Sequence, residues 1–175
     1  MLHILRCHFM KIPENTEVSV QEGMVTVKGK SGSLEKKFNP RVLKVTAEGG
    51  EVTVTALSKK TRRVSAMIGA LESHLKNMFK GACENYEKKL SLVYAHFPVA
   101  VEVKGTQIQI KNFLGEKTPR FAKIQGSVKV AVKGAEITVT GNDIEDVGQT
   151  ASNIIKATRI TKRDIRVFQD GIYYA

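Results

Sequence analysis

Five cations stand within eleven positions near the end of this chain, Lys156, Arg159, Lys162, Arg163 and Arg166, against one acid, Asp164. Phe168, Ile172, Tyr173 and Tyr174 follow at once. Ammonium and guanidinium groups at this density are suited to holding a polyanion, and the apolar residues beside them fit a docked edge better than a free tail. A solvated helix end would explain the charge but not its company.

Two further basic features repeat the theme. The stretch from Lys111 through Lys117 and Arg120 to Lys123 is a long loop between alternating segments, rich in glycine and lysine like its shorter counterpart Lys28–Lys37. Small residues let a backbone approach phosphates closely while lysines neutralise them. The run Ser58-Lys59-Lys60-Thr61-Arg62-Arg63 opens a helix with four cations where they repel the helix dipole. A phosphate held at that N-terminus would offset the strain; a solvated helix end also accounts for it.

The acids point elsewhere. Asn142-Asp143-Ile144-Glu145-Asp146 reads as an N-cap with Glu145 closing a capping box, not as a cation site, because the spaced oxygen ligands and central glycine of a calcium loop are missing. His3, Cys7 and His8 have no second ligand cluster to close a metal site, so a mobile terminus is expected there and no metal or cofactor is assigned. His74, His96 and Cys83 have no sequence motif that pairs them with a nucleophile or an orienting carboxylate, and neither a P-loop nor a dinucleotide fingerprint occurs. The expectation is a binding protein and not an enzyme.

The elements that must position these cations are written twice. Val18–Val20 and Val25–Lys28 match Val101–Val103 and Ile108–Lys111 at an offset of 83; Leu43–Val45 and Glu51–Thr55 match Val128–Val130 and Glu136–Thr140 at 85. Alternation of this kind, broken by glycines, predicts short antiparallel strands. Each half closes with a helical stripe: Val64, Met67, Ile68, Leu71, Leu75 and Met78, stopped at Gly81, and Ile144, Val147, Ala151, Ile154 and Ile155 over about 143–158. The expected fold is α+β, with two tandem duplicated domains, 1–81 and 82–175, each an antiparallel sheet with a helix packed on one face. Residues 1–9 are expected to be an extension, with Met10 an alternative initiator.

At 175 residues and 42% apolar content the chain can bury real cores. Its formal charge of +11 is shared by both halves, with 14 basic and 7 acidic residues in 1–81 and 14 and 10 in 82–175. Such an excess attracts nucleic acid, anionic membranes or acidic partners alike; the absence of a long apolar run disfavours a membrane anchor. Two distant cysteines suit a reducing cytosol. A small basic protein binding an acidic protein partner is the alternative reading.

The run Thr158-Arg159-Ile160-Thr161-Lys162-Arg163-Asp164-Ile165-Arg166-Val167-Phe168-Gln169-Asp170-Gly171-Ile172-Tyr173 resembles the C-terminal signature of the L-six family of large-subunit ribosomal proteins, in its archaeal and eukaryotic branch. Ile12-Pro13-Glu14, Val25–Gly29, Asn112–Lys117 and Asn142–Thr150 resemble that family in the same order. The resemblance implies two tandem domains without catalytic residues, bound to large-subunit rRNA near the sarcin–ricin loop and beside neighbouring ribosomal proteins, close to where translational GTPases act in the cytoplasm. It assigns RNA contact to Lys117, Arg120, Lys123, Arg159, Lys162, Arg163 and Arg166; Lys111, Lys156, Lys59, Lys60, Arg62 and Arg63 join them as candidates. Asp170-Gly171 would shape the final turn, with Phe168 and Tyr173 packing the tail. Lys156 stands where a glutamine is expected, which adds a cation. The chain ends at Ala175 without further basic residues, which is expected to shorten the RNA footprint.

Overall fold

The computed structural model describes residues 8–13, 16–21, 23–48, 50–57, 61–161 and 163–175. It divides into two compact units, one ending at Asn85 and one beginning at Tyr86. The first holds β1 (His8–Lys11), β2 (Glu17–Gln21), β3 (Met24–Gly29), β4 (Gly32–Lys37), β5 (Leu43–Glu48), β6 (Glu51–Ala56) and α1 (Arg62–Cys83). The second holds β7 (Tyr86–Val93), β8 (Ala100–Lys104), β9 (Gln107–Lys111), a 3-10 turn (Phe113–Gly115), β10 (Arg120–Lys123), β11 (Lys129–Lys133), β12 (Glu136–Gly141), α2 (Ile144–Ala157) and β13 (Gly171–Tyr174).

The α+β class and the duplication are both present. Strand order β2-β3-β4 in the first unit returns as β8-β9-β10 in the second, and β1-β6-β5 returns as β7-β12-β11, every pairing antiparallel. Each unit therefore has two small sheets and not one. The second unit adds β13, which pairs with β7 at the sheet edge.

Alternation buries one face of each sheet against its helix. Val25, Val27, Leu43, Val45, Val52 and Val54 meet Ile68, Leu71 and Leu75 of α1 in one core. Ile108, Ile110, Ile137 and Val139 meet Val147, Ala151 and Ile154 of α2 in the other. The predicted stripes are thus core, and truncating fully buried Leu75 to alanine would cost about 2–5 kcal/mol.

Four boundaries differ from expectation. α1 runs through Gly81 to Cys83, because Gly81 and Ala82 are buried and the Glu84 N–H still bonds the Lys80 carbonyl; the expected division at 81–82 lies inside its last turn. The reason for a close approach lies opposite: a Cβ on Gly29 would come 2.5 Å from the Ala82 carbonyl oxygen, so β3 packs on the helix end only with glycine there. Part of the expected extension is structured, since His8–Lys11 pairs with β6 and Met10 is buried. The second helix is capped one residue later than expected: Asp143 accepts from the Glu145 N–H at 2.8 Å, while Asn142 accepts from the Ser127 hydroxyl.

Candidate nucleic-acid interface

The end of α2 is the point around which the cations gather, and Arg120 fixes it. Its Nε and Nη2 donate to both oxygens of Glu116 at 2.8 and 2.6 Å, and its Nη1 donates to the carbonyls of Ala157 and Arg159 at 2.9 and 3.2 Å. The guanidinium also lies 4.5 Å from the centre of the Phe113 ring, which is buried. A planar five-donor fork can serve a carboxylate and two helix-end carbonyls together; a lysine cannot. The positive charge sits where the helix dipole is negative. Arg120, a candidate for phosphate contact, therefore has its donors engaged within the protein.

Backbone strain holds the connector that presents Arg120. Asn112 and Leu114 both adopt the left-handed region, φ 58° and 52°, and Leu114 is buried beside Phe113. The loop is in this way plugged into the core, and the Asn112 side chain donates to the Pro98 carbonyl at 2.9 Å. Lys111 is also engaged, at 2.7 Å from Glu102, whose carboxyl is held below its ordinary range first by that hydrogen bond.

Beyond α2 the tail crosses to β13 under three tethers. Thr158, buried, donates to the Ile155 carbonyl and accepts from the Ile172 N–H at 3.2 Å, tying helix end to strand. Asp170, also buried, accepts from the Ala95 N–H at 3.0 Å and lies 3.4 Å from His96 Nδ1. Asp164 accepts from the Arg166 N–H and, through its carbonyl, from Phe168, so a local turn displays Arg163 and Arg166. Arg163 then covers the Phe168 ring at 4.7 Å, and Phe168 lies 4.9 Å from the His96 ring.

The His96–Asp170 contact was not foreseen, because 74 residues separate the pair in sequence. An orienting carboxylate beside a histidine is one part of a catalytic arrangement, but the other neighbour of this ring is Phe168, which offers no nucleophile. The contact ties the turn after β7 to the tail. Among the described residues no grouping of His, Cys, Asp and Glu suits a metal ion.

Lys117, Lys123, Lys156, Arg159, Arg163 and Arg166 are all exposed, and none has an ion-pair partner among the described residues. Asn153 of α2 donates to the Lys123 carbonyl, which with the Arg120 bonds lays β10 and its flanking cations along the C-terminal half of α2, where the tail begins. In the first unit Arg62 and Arg63 are exposed in the opening turn of α1, which carries no acid and is capped by Thr61. Lys59, Lys60 and Lys162 lie outside the described residues, as do His3 and Cys7 and the side chain of His8.

Comparison with known proteins returns one family. The model for the family described as Ribosomal protein L6 matches residues 12–83 and again 97–171, once in each unit. Proteins named large ribosomal subunit protein uL6 are 48% identical in Methanosarcina mazei, over 94% of this chain and 93% of theirs, and 46% identical in Methanobrevibacter smithii, over 94% and 92%. The protein of the same name in Staphylothermus marinus is 46% identical over 93% and 89%.

Proposed function

From the premise that this chain belongs to the ribosomal protein L6 family, we propose that its second unit grips large-subunit rRNA through the cations gathered at the end of α2. As a family member it is a structural constituent of the large ribosomal subunit, serving translation in the cytoplasm, and it is not an enzyme.

The observation that carries the reading is the contrast between engaged and free cations. Lys111 and Arg120 are satisfied by Glu102 and Glu116, whereas Lys117, Lys123, Lys156, Arg159, Arg163 and Arg166 face solvent without an acid partner among the described residues. Like charges held close on one surface repel, and phosphate oxygens relieve that repulsion while releasing counterions from the RNA. These cations read RNA shape and backbone and not base sequence, in keeping with the wide, shallow minor groove of A-form RNA. Lys162 belongs to the same run in sequence. Arg62 and Arg63, with Lys59 and Lys60 before them, supply a second phosphate contact from the first unit.

Family membership also suggests where the contact lies: near the sarcin–ricin loop, beside neighbouring proteins of the subunit and within reach of translational GTPases. Hydroxyl-radical footprinting of large-subunit rRNA, with and without the full chain, tests the placement. Backbone protection at the sarcin–ricin stem is the expected outcome; protection confined to other helices would refute it.

A further inference from the structure

A cavity of about 750 Å³ opens between the C-terminal half of α2, the tail loop and the edge strand β13. Its walls include Ile155 and Lys156 of α2, Arg159 and Ile165 of the loop, and Ile172 and Tyr174 of β13. We propose that this cavity receives one unpaired base of the bound RNA, guanine foremost, with Tyr174 stacking on it and Lys156 and Arg159 holding its flanking phosphates. The inference rests on the RNA-binding reading above and names the ligand of that same surface.

The size falls in the range of clefts that take small ligands, and the mixture of apolar walls with a few polar groups is what such clefts use. Tyr174 pairs with Leu90 and so lies on the face of β13 that looks toward α2. It is 56% exposed, and Lys88 Nζ sits 5.4 Å from its ring centre, leaving an aromatic plate at the cavity edge. Of the other aromatic rings in the lining, Phe168 is already covered by Arg163 and His96, and Tyr173 is turned to donate its hydroxyl to the Gln169 carbonyl. Exposed aromatic and guanidinium planes are the surfaces on which single-stranded bases stack.

Charge decides which part of the nucleotide enters. Asp170 forms part of the wall, and its Oδ2 is buried without a hydrogen-bond partner among the described residues. The carboxylate would repel a phosphate at this wall and favours the N–H donors of a base edge instead. Guanine carries an imino and an amino donor side by side. Among the described residues β13 is the last strand of its sheet, so its outer backbone groups offer further acceptors and donors. Lys156 and Arg159, exposed at the mouth, are placed for the phosphates on either side.

Filling the cavity tests this without touching the cations. In the full chain, Ser152→Trp, from a residue that lines the cavity on α2, is expected to lower affinity for isolated large-subunit rRNA about tenfold, the scale of one lost stack. The salt slope should stay as in the wild type. Tyr174→Ala should do the same and Tyr174→Phe should not, which controls for folding of the tryptophan variant. Probing of guanine Watson–Crick edges should find one base protected by the wild type and reactive with either loss variant. Wild-type affinity for both loss variants, with no guanine changing reactivity, overturns the proposal. Unchanged affinity for naked rRNA with failed entry into assembled subunits also overturns it, in favour of a protein side chain as occupant. A wild-type affinity insensitive to salt would instead sink the RNA-binding reading itself.

Discussion

Arg120 separates a scaffold role from direct contact with RNA, and the two make opposite forecasts. Replacing it with alanine removes the bidentate bridge to Glu116, two bonds to helix-end carbonyls and the stack on Phe113. The side chains of Arg120 and Glu116 are 25% and 39% exposed, so the ion pair is worth no more than about 1 kcal/mol. Each carbonyl bond adds about 1 kcal/mol net and the cation–π contact about 0.5–1 kcal/mol. The expected loss is about 3 kcal/mol, which in a unit of this size lowers the melting temperature by roughly 12–20 °C. Arg120→Lys keeps the charge but not the fork, and should lose about half as much. Differential scanning calorimetry of the full chain measures both, and an rRNA titration against salt supplies the second readout. The salt slope of Arg120→Lys should equal that of the wild type. A lysine variant with unaltered melting, together with an alanine variant whose slope falls by about 0.7–0.9, the share of one phosphate, would refute the scaffold role.

Two further outcomes follow from the fold. Gly29→Ala places a methyl group against the Ala82 backbone, so the first unit is expected to lose about 1–3 kcal/mol while the second melts unchanged, as calorimetry or hydrogen exchange can resolve. Burial, then Asp143 and Glu145, raise the Asp146 carboxyl above its usual range. The native state therefore favours its protonated form, so this contribution is full below the ordinary carboxylate pKa of about 4 and is lost as pH rises through the raised value. Asp146→Asn should melt higher than the wild type at pH 7 and gain less on acidification; equal pH profiles for the two proteins would contradict this.

Hydrophobic period carried most of the fold into view. Strict alternation located β3, β6, β9 and β12, and the stripes on α1 and α2 proved to be core because period and burial are one physical fact. Where charge overlies the pattern it was harder to read: β7, the longest strand among the described residues, carries Glu87, Lys88 and Lys89 straight after Tyr86, and only Leu90 and Leu92 alternate as buried positions. β13 is held by Thr158, Asp170 and the Lys89 carbonyl, long-range bonds that no local pattern encodes. The candidate site was legible as composition but not as partnership. Nothing in the spacing of Arg120 and Lys111 told that one caps a helix and the other pairs across a sheet. Tyr174 stood in the tail motif, yet its place at a cavity edge depends on the register of β13 with β7.

The central claim is that the cations at the end of α2 neutralise RNA phosphates, and the salt dependence of rRNA binding tests it most directly. Arg159, Arg163 and Arg166 are exposed and have no acid partner among the described residues, so replacing all three with alanine should leave the unit folded. The slope of log K against log salt should then be shallower by about 2–3, the share of three phosphates. A folded triple variant that keeps both the wild-type slope and the wild-type affinity would contradict the account.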